Sequence, residues 1–566
     1  MKVLGISAFY HDSAACLVVD GVVVAAAEEE RFTGIKHDHR FPLNAVKWVL
    51  HEAGIKIEDI DKVAWYENPE TKKDRVLTIF NKRPLGTFFL RRQFRKRFKV
   101  EGNIEELLKQ KLNYKGEVEY VDHHLSHAAF SFLTSNFKDA AIVTIDGVGE
   151  WETLGIYRGS SEGIEKVYSV NFPHSLGMYY STITAFLGFK PNEGEYKVMG
   201  LAPYGNPNRY YDKLISIFNF ESEDLFEINQ KYFTWEYSER VMFNKKFCKL
   251  IGLNPRLPEE VLAQEHKDFA AAAQKVYEVL FMRVMRKTKE LVNSEYVCLG
   301  GGCAYNGVAN TLAYNMFDSV HIPFAPSDAG SAMGAALYVG GSVRAKNQNP
   351  YLGPEFTRGQ IRRVLGKYRN KVEAYELSEG KLITLTAELL HSGNVIGWFQ
   401  GKMEFGARAL GNRSILASPL GPDTKDRINR VIKKREGFRP FAPSCIEDKA
   451  EKFFHIKEPI PYMNQITQVR KEHARFLPAI THVDGSARVQ TVNQKQNDRY
   501  YKLLTELGSL SGYPIVLNTS FNFKDQTITM TPEQAIDRFL DCNMNYLVIN
   551  NFLIRRKRHE STDEMD

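Results

Sequence analysis

The stretch KVLGISAFYHDSAACLVVDGVVVAAAEEE, residues 2–30, decides how the fold is read. KVLGISAF has the apolar content of a strand, and FYHDSAA interrupts it with small and polar residues. ACLVVDGVVVAAAEEE then reads as a hairpin turning at Asp20-Gly21, because Asp-Gly adopts the positive φ that a tight turn requires. The pattern returns at AIVTIDGVGEWETLGIYRGS, residues 141–160: strand, Asp-Gly loop, strand. Between the two lie PLNAVKWVLHEAG, a helix with Pro42 at its start and Gly54 at its end, and the strand EVEYVD. The echo predicts a duplicated α/β module with a cleft between its halves.

At 566 residues the chain exceeds one hydrophobic core. The polar stretch VRAKNQNPYLGPEFT, residues 343–357, carries Pro350, Gly353 and Pro354 and is the expected join. It gives domains over 1–345 and 357–566, with 346–356 as linker. A second α/β unit follows, with GNVIGWFQG and YPIVLNTS as strands. The net charge of +7 is mild for this length; it suits anionic small molecules and gives no call for nucleic acid. MKVLGISAFYHDSAA is no signal peptide. The uncharged run at residues 296–317 holds three consecutive glycines and three asparagines, so it is no membrane span. Six scattered cysteines without a CxxC fit a reducing cytoplasm. The basic run RRQFRKRFK, residues 91–99, reads as the solvated face of a docked helix, and the tail RRKRHESTDEMD as a frayed end.

The chemistry concentrates in a few loops. VDHHLSHAAF, residues 121–130, crowds three histidines at the start of a helix. His123 and His127 project from one face a turn apart, which suits two imidazoles on one divalent metal. The spacing equally allows His124 with His127, and packing histidines without a metal are as common. FYHDSAA presents His11, Asp12 and Ser13 in a turn. In IDGVGEWE, Asp146 ends a strand and Gly147 and Gly149 let the backbone approach a ligand. LGGGCAYNG, with Gly301, Gly302 and Asn306, can offer N–H groups to a phosphate or clear space for a purine. FAPSDAGSAMGAA places Asp328 before a helix of small residues. There is no Walker loop, no intact GxGxxG and no HExxH. In the second half, EFGARALGNRS supplies Arg408 and Arg413, and IKKREGFRPFAPS supplies Lys433, Lys434, Arg435 and Arg439. SARVQTV adds Arg488, and VLNTSFN adds Asn518 and Ser520. These cations flank glycine, proline and small polar residues rather than helical carboxylates, which favours an anion pocket.

GISAFYHDSAACLVVDG, EEERFTGIKHDHRFP, HHLSHA, DGVGE, EGEYKVMGLAPYG, GGCAYN, APSDAGSAMGAA, EFGARALGNRS, KKREGFRPFAPS and NTSFN follow in this order. The series resembles the O-carbamoyltransferases, the family of the tobramycin, cephalosporin and nodulation-factor enzymes, over nearly the whole chain. The resemblance implies an actin/Hsp70-like first domain akin to the tRNA threonylcarbamoyl transferase subunit. It implies a YrdC-like α/β second domain akin to the threonylcarbamoyl-adenylate synthases. It also implies a reaction: carbamoyl phosphate and ATP, with Mg2+, give carbamoyladenylate in the second domain. The carbamoyl group then passes, in the first, to a hydroxyl of a small natural product or sugar. In that scheme His123, His127 and Asp328 hold a divalent metal, expected to be Fe2+, and the choice of His123 over His124 rests on the resemblance. Asp146, Gly301, Gly302 and Asn306 line the metal and nucleotide site. His11 is the candidate general base, with a near-neutral pKa suited to the task, and Lys36 contacts adenylate or acceptor. Arg408, Arg439 and Arg488 hold carbamoyl phosphate; Lys433, Asn518 and Ser520 bind ATP or phosphate. A cytoplasmic enzyme with no nucleic-acid or membrane partner is expected, and a homodimer is compatible.

The chain departs from the family in two places. The SAFYHD turn is short where the tobramycin enzyme has an insertion that helps form its acceptor pocket. Asn-Thr-Ser stands where the adenylate synthases have Ser-Ala-Asn. Acceptor identity and tRNA activity therefore do not carry over. An actin-fold sugar kinase would leave the second cation cluster without a use, and a tRNA-modification component finds little support in a charge of +7.

Overall fold

The computed structural model describes residues 1–82, 91–92, 94–96, 98, 102–221, 225–238, 241–342, 344–347, 349–433 and 435–557. Lys434, parts of the basic run at 91–99 and of the expected linker, and tail residues 558–566 lie outside them. The protein is mixed α/β and forms two compact units. Unit 1 comprises Met1–Thr33, His37–Gln348 and Asn464–Ile466; unit 2 comprises Gly34–Lys36, Asn349–Met463 and Thr467–Asp566. Two short stretches thus belong to a different unit from their chain neighbours, which a division by chain order does not foresee. Asn464–Ile466 joins unit 1 by hydrogen bonds: the Asn310 amide donates to the Asn464 carbonyl at 2.7 Å, and Ile466 N–H to the Gly307 carbonyl at 3.0 Å.

Unit 1 is built on two five-stranded sheets. The first contains β1 (Lys2–Ser7), β2 (Ala14–Val19), β3 (Val22–Glu28), β4 (Lys62–Trp65) and β5 (Glu117–Tyr120), in the order β3-β2-β1-β4-β5. The hairpin strands pair antiparallel, and β4 and β5 run parallel to β1. The second contains β6 (Ala140–Ile145), β7 (Glu152–Ser160) and β8 (Gly163–Asn171). After a small ladder of β9 (Phe218–Asn219) and β10 (Glu227–Ile228), it adds β11 (Tyr296–Gly300) and β12 (Ser319–His321). Its order is β12-β11-β6-β7-β8. Again the first three strands form an antiparallel meander and the last two run parallel to the first. The two hairpins read from the sequence are therefore the openings of two sheets of one topology. β1, β6 and β11 are almost wholly buried, as strands covered on both faces are.

Helix His123–Leu133 follows β5, and helix Asp328–Val339 follows β12. The two helices touch closely because the second is made of small residues. A Cβ at Gly334 would lie 1.9 Å from the Ser126 carbonyl oxygen, so only glycine lets the backbones approach this far. On its other side the same helix meets β1, where a Cβ at Gly5 would lie 1.9 Å from the Ala332 carbonyl oxygen. The small-residue run therefore serves packing, and it carries Asp328 to the first turn of the histidine helix.

Unit 2 has an eight-stranded sheet. Its strands are β13 (Val372–Glu376), β14 (Ile396–Phe399), β15 (Arg413–Ala417), β16 (Ala442–Ile446), β19 (Gln490–Val492), β20 (Ile515–Ser520), β21 (Tyr546–Ile549) and β22 (Phe552–Arg556). β17 (Thr467–Gln468) and β18 (Ser486–Ala487) pair separately. The order is β13-β22-β21-β14-β15-β20-β16-β19, with parallel pairs only at β14–β21 and β16–β19. Two apolar clusters hold this unit together, one around Phe399, Leu517 and Ile549 and one around Trp398, Tyr500 and Val516.

Candidate functional site

His123 opens its helix, and its N–H donates to the Glu150 carboxylate at 3.0 and 3.2 Å, so an acid from the DGVGE loop caps the helix. His123 and His127 are 2% and 0% exposed, and their Nε2 atoms are 3.2 Å apart. Asp146 Oδ2 stands 3.0 Å from His127 Nε2 and 3.6 Å from His123 Nε2; Asp328 Oδ1 stands 3.5 and 3.7 Å from the same atoms. Adjacent ligands at about 2.1 Å from a four-coordinate ion would be about 3.4 Å apart, so these separations fit a shared cation. Asp328 provides a second test. It is 1% exposed, and neither carboxylate oxygen has a hydrogen-bond partner. A carboxylate that dry and without a hydrogen bond is costly unless a cation completes it. These four residues form a buried cluster able to hold a metal ion.

Asp146 belongs among the donors, beyond the nucleotide role expected for it. Gly302 N–H donates to its Oδ2 at 3.1 Å and Gly147 N–H to its Oδ1 at 2.6 Å. Gly301 takes φ +85° and donates to the Pro326 carbonyl at 2.9 Å. The glycine loop thus spends both N–H groups inside the protein, where a phosphate contact was one expectation. Asn306 caps the helix Gly307–Leu312 and exchanges amide hydrogen bonds with Gln274 at 3.1 and 3.2 Å. His127 Nδ1 is fixed by Ser331 Oγ at 3.0 Å, which directs Nε2 toward the carboxylates. His124 points elsewhere, with Nδ1 2.7 Å from Thr144 Oγ1. Burial, together with the charges of His123 and His127, holds its pKa well below the ordinary value. Burial also opposes charge on His123, but Asp146, Asp328 and Glu150 outweigh it and raise its pKa to about 9.

His11 is partly buried, with Nδ1 3.1 Å from Asp12 Oδ2; the other Asp12 oxygen is 2.6 Å from His37 Nδ1. Burial alone would lower the His11 pKa, but Asp328, Asp12 and Asp146 push it up to about 10. This differs from the near-neutral value expected from the sequence, because three carboxylates converge on one imidazole. Sequence reasoning placed Asp12 in a chemistry-bearing turn without giving it a role toward His11, and missed Glu150 and Ser331.

Lys36 is grouped with unit 2 rather than with His11. In unit 2 the Lys433 ammonium is buried and donates to the carbonyls of Ser520 and Asn522 at 2.8 and 2.7 Å and to Asn522 Oδ1 at 2.7 Å. Burial, then the charges of Arg435, Arg439, Arg538 and Lys36, hold its pKa well below the ordinary value. Ser520 Oγ donates to the same Asn522 Oδ1 at 2.7 Å. Arg439 lies 3.5 Å from Glu436. The Asn518 amide donates to the Ala409 carbonyl, Ser444 Oγ and Gln490 Oε1, leaving its buried Oδ1 without a partner. Arg408 precedes Ala409 in the chain and Arg488 lies two residues before Gln490, so two of the expected arginines are chain neighbours of groups that accept from Asn518. Arg413, like Lys433, spends its donors inside the protein. It is 0% exposed, sits 3.7 Å over the Phe399 ring and donates to the carbonyls of Gln400, Asn412, Pro354 and Gly401. It clamps loops and is no ligand for an anion.

Comparison with known proteins agrees over both units. The carbamoyltransferase N-terminus profile matches residues 2–337, and the carbamoyltransferase C-terminus profile matches residues 387–556. The chain belongs to the carbamoyltransferase family. Nodulation protein NolNO of Sinorhizobium fredii is 33% identical, over 98% of this chain and 80% of that protein. Nodulation protein NolO of Bradyrhizobium diazoefficiens is 34% identical, over 77% and 79%. The Synechocystis protein sll1178 is 40% identical, over 98% and 96%. Among solved structures, component A of the (R)-2-hydroxyglutaryl-CoA dehydratase of Acidaminococcus fermentans aligns with 60% of this chain and 97% of its own. The identity is 14% and the TM-score 0.29. This carbamoyltransferase has no helix, among the described residues, long and apolar enough to cross a membrane.

Proposed function

We propose that this carbamoyltransferase is ATP-dependent and divides its work between its units. Unit 2, read as YrdC-like, splits carbamoyl phosphate with one water into carbamate and phosphate, then bonds a carbamate oxygen to the α-phosphorus of ATP, breaking the α–β phosphoanhydride and releasing pyrophosphate. Unit 1, read as actin/Hsp70-like, transfers the carbamoyl group from the adenylate to a hydroxyl of a small natural product or sugar and releases AMP. The repeated strand order of unit 1 supports the first fold reading. The cation-rich surroundings of Lys433 support anion chemistry in unit 2.

The observation that carries the proposal is the buried quartet His123, His127, Asp146 and Asp328, with both Asp328 oxygens free of hydrogen bonds. A divalent ion held there, with Fe2+ the expected one, would supply Lewis-acid stabilisation of negative charge on the adenylate leaving group. Ser331 and the N–H groups of Gly147 and Gly302 keep the donor side chains oriented. His11 takes the acceptor's hydroxyl proton when it is itself deprotonated. Two of the carboxylates that hold it charged, Asp328 and Asp146, are proposed ligands, so neutralising them returns His11 toward its ordinary range. In unit 2, Arg408, Arg439 and Arg488 would take carbamoyl phosphate, and Lys433, Asn518 and Ser520 the ATP phosphates, with Lys433 and Ser520 exchanging their present bonds to Asn522 for phosphate oxygens.

The test incubates the protein with labelled carbamoyl phosphate, ATP, Mg2+ and a panel of hydroxyl compounds, and follows pyrophosphate and product mass. Pyrophosphate release that requires both substrates, with label entering a hydroxyl compound as carbamate, is the expected result. Label transfer without ATP, or a phosphorylated product, would exclude the scheme.

A further inference from the structure

Helix Pro69–Lys82 carries a buried guanidinium that the reaction above does not use. Asn68 starts this helix, its side chain accepting from the N–H groups of Glu70 and Thr71 at 3.1 and 3.3 Å. The Asn68 N–H donates to Glu150 at 2.7 Å, the same carboxylate that caps the histidine helix. Arg75 follows two turns later and is 9% exposed. Among the described residues its guanidinium makes no hydrogen bond and no ion pair, and its Nε is buried without a partner. It rests on the Phe172 ring, 5.5 Å from the centroid. The acids nearby are engaged without it: Glu67 pairs with Lys72 at 2.7 Å, and Glu150 accepts from Asn68 and His123. Burial lowers the Arg75 pKa, opposed by Glu67, Tyr10 and Glu150. Its charge also acts on the phenol of Tyr10, the residue before His11. Tyr10 in turn borders the Asp146 loop, where a Cβ at Gly147 would lie 3.5 Å from its hydroxyl.

A guanidinium this dry, with its donors unspent, destabilises the fold unless something supplies acceptors. Its planar fork matches the two oxygens of a carboxylate or phosphate. Its helix begins at Asn68, whose N–H donates to the Glu150 carboxylate that also accepts from the His123 N–H, so it is anchored to the loop of the proposed transfer site. We infer that Arg75 is an acceptor-recognition residue, binding an oxyanion, carboxylate or phosphate, borne by the hydroxyl compound that receives the carbamoyl group. The inference rests on the transfer reaction proposed above.

The experiment uses the full chain, Arg75→Met and Arg75→Lys, with supplied carbamoyladenylate and three surrogate acceptors: glycolate, glycerol 3-phosphate and neutral glycerol. The wild type should show a KM for one anionic surrogate about tenfold or more below that for glycerol, and which one identifies the oxyanion. Arg75→Met should lose this advantage through KM rather than kcat, and Arg75→Lys should restore part of it. Thermal unfolding of the free proteins gives a second reading: Arg75→Met should melt higher, because an unpaired buried charge is gone. The surrogate that binds should raise the wild-type midpoint more than that of Arg75→Met. No anionic advantage in the wild type, the same advantage in Arg75→Met, or an equal loss with glycerol and anions would overturn the inference. A lower melting point for Arg75→Met would show a structural ion and would also overturn it. If the wild type consumes no carbamoyladenylate at all, the transfer reaction itself fails, and the melting comparison still decides the role of Arg75.

Discussion

At His124, one residue along the chain from His123, the helix directs an imidazole to Thr144 rather than to the carboxylates. About 100° of helical rotation separates neighbours, which is enough to put one ring in the cluster and the next against the sheet. Sequence spacing could not choose between them, since His127 lies one turn from both. The choice is decided by where Asp146 and Asp328 come to rest, and those residues are distant in the chain. His127→Ala should lose bound metal, measured on the purified protein, while His124→Ala should retain it. The second substitution should instead cost about 2 kcal/mol of stability, because Thr144 loses its partner and a core ring is removed. Equal metal loss in both variants would mean that the wrong pair has been assigned. Arg413 teaches the converse lesson: it stood in a cation-rich segment beside Arg408, yet its donors are spent on backbone carbonyls. Residue type suggested an anion ligand; burial made it a structural clamp.

Among the elements, strands were the most legible. The Asp20-Gly21 hairpin lies where the sequence placed it, with β2 ending at Val19 and β3 starting at Val22. Turn chemistry is local, so a short window contains it. The helix at Asp328 was legible as a helix, but the reason for its small residues was not, because glycine serves ligand approach and backbone packing alike. Here packing dominates. Gly334→Ala would force the Ser126 carbonyl away from a Cβ at 1.9 Å and move the Asp328 helix off the histidine helix. The expected result is a loss of about 2 kcal/mol or more in denaturant unfolding and at least tenfold weaker metal binding by titration. Gly359→Ala, where a Cβ meets nothing within 4 Å on an exposed helix, should be neutral or slightly stabilising. Unchanged metal affinity in Gly334→Ala would show that the helix contact does not position Asp328.

For the whole molecule, the repeat of strand order in unit 1 could be anticipated from two hairpins, since each sheet begins with its own. The membership of Gly34–Lys36 and Asn464–Ile466 could not, because it depends on contacts between residues distant in the chain that no local pattern encodes. The two units differ in side-chain chemistry: one gathers imidazoles and carboxylates, the other lysine and arginines. The central claim is that these are separate half-reactions joined by carbamoyladenylate. Its most direct measurement is the fate of carbamoyl phosphate and ATP in His127→Ala, followed by chromatography of the adenylate. The account expects this variant to release pyrophosphate and build up carbamoyladenylate while transferring nothing to an acceptor. Loss of pyrophosphate release together with transfer, in a variant that remains folded, would contradict it.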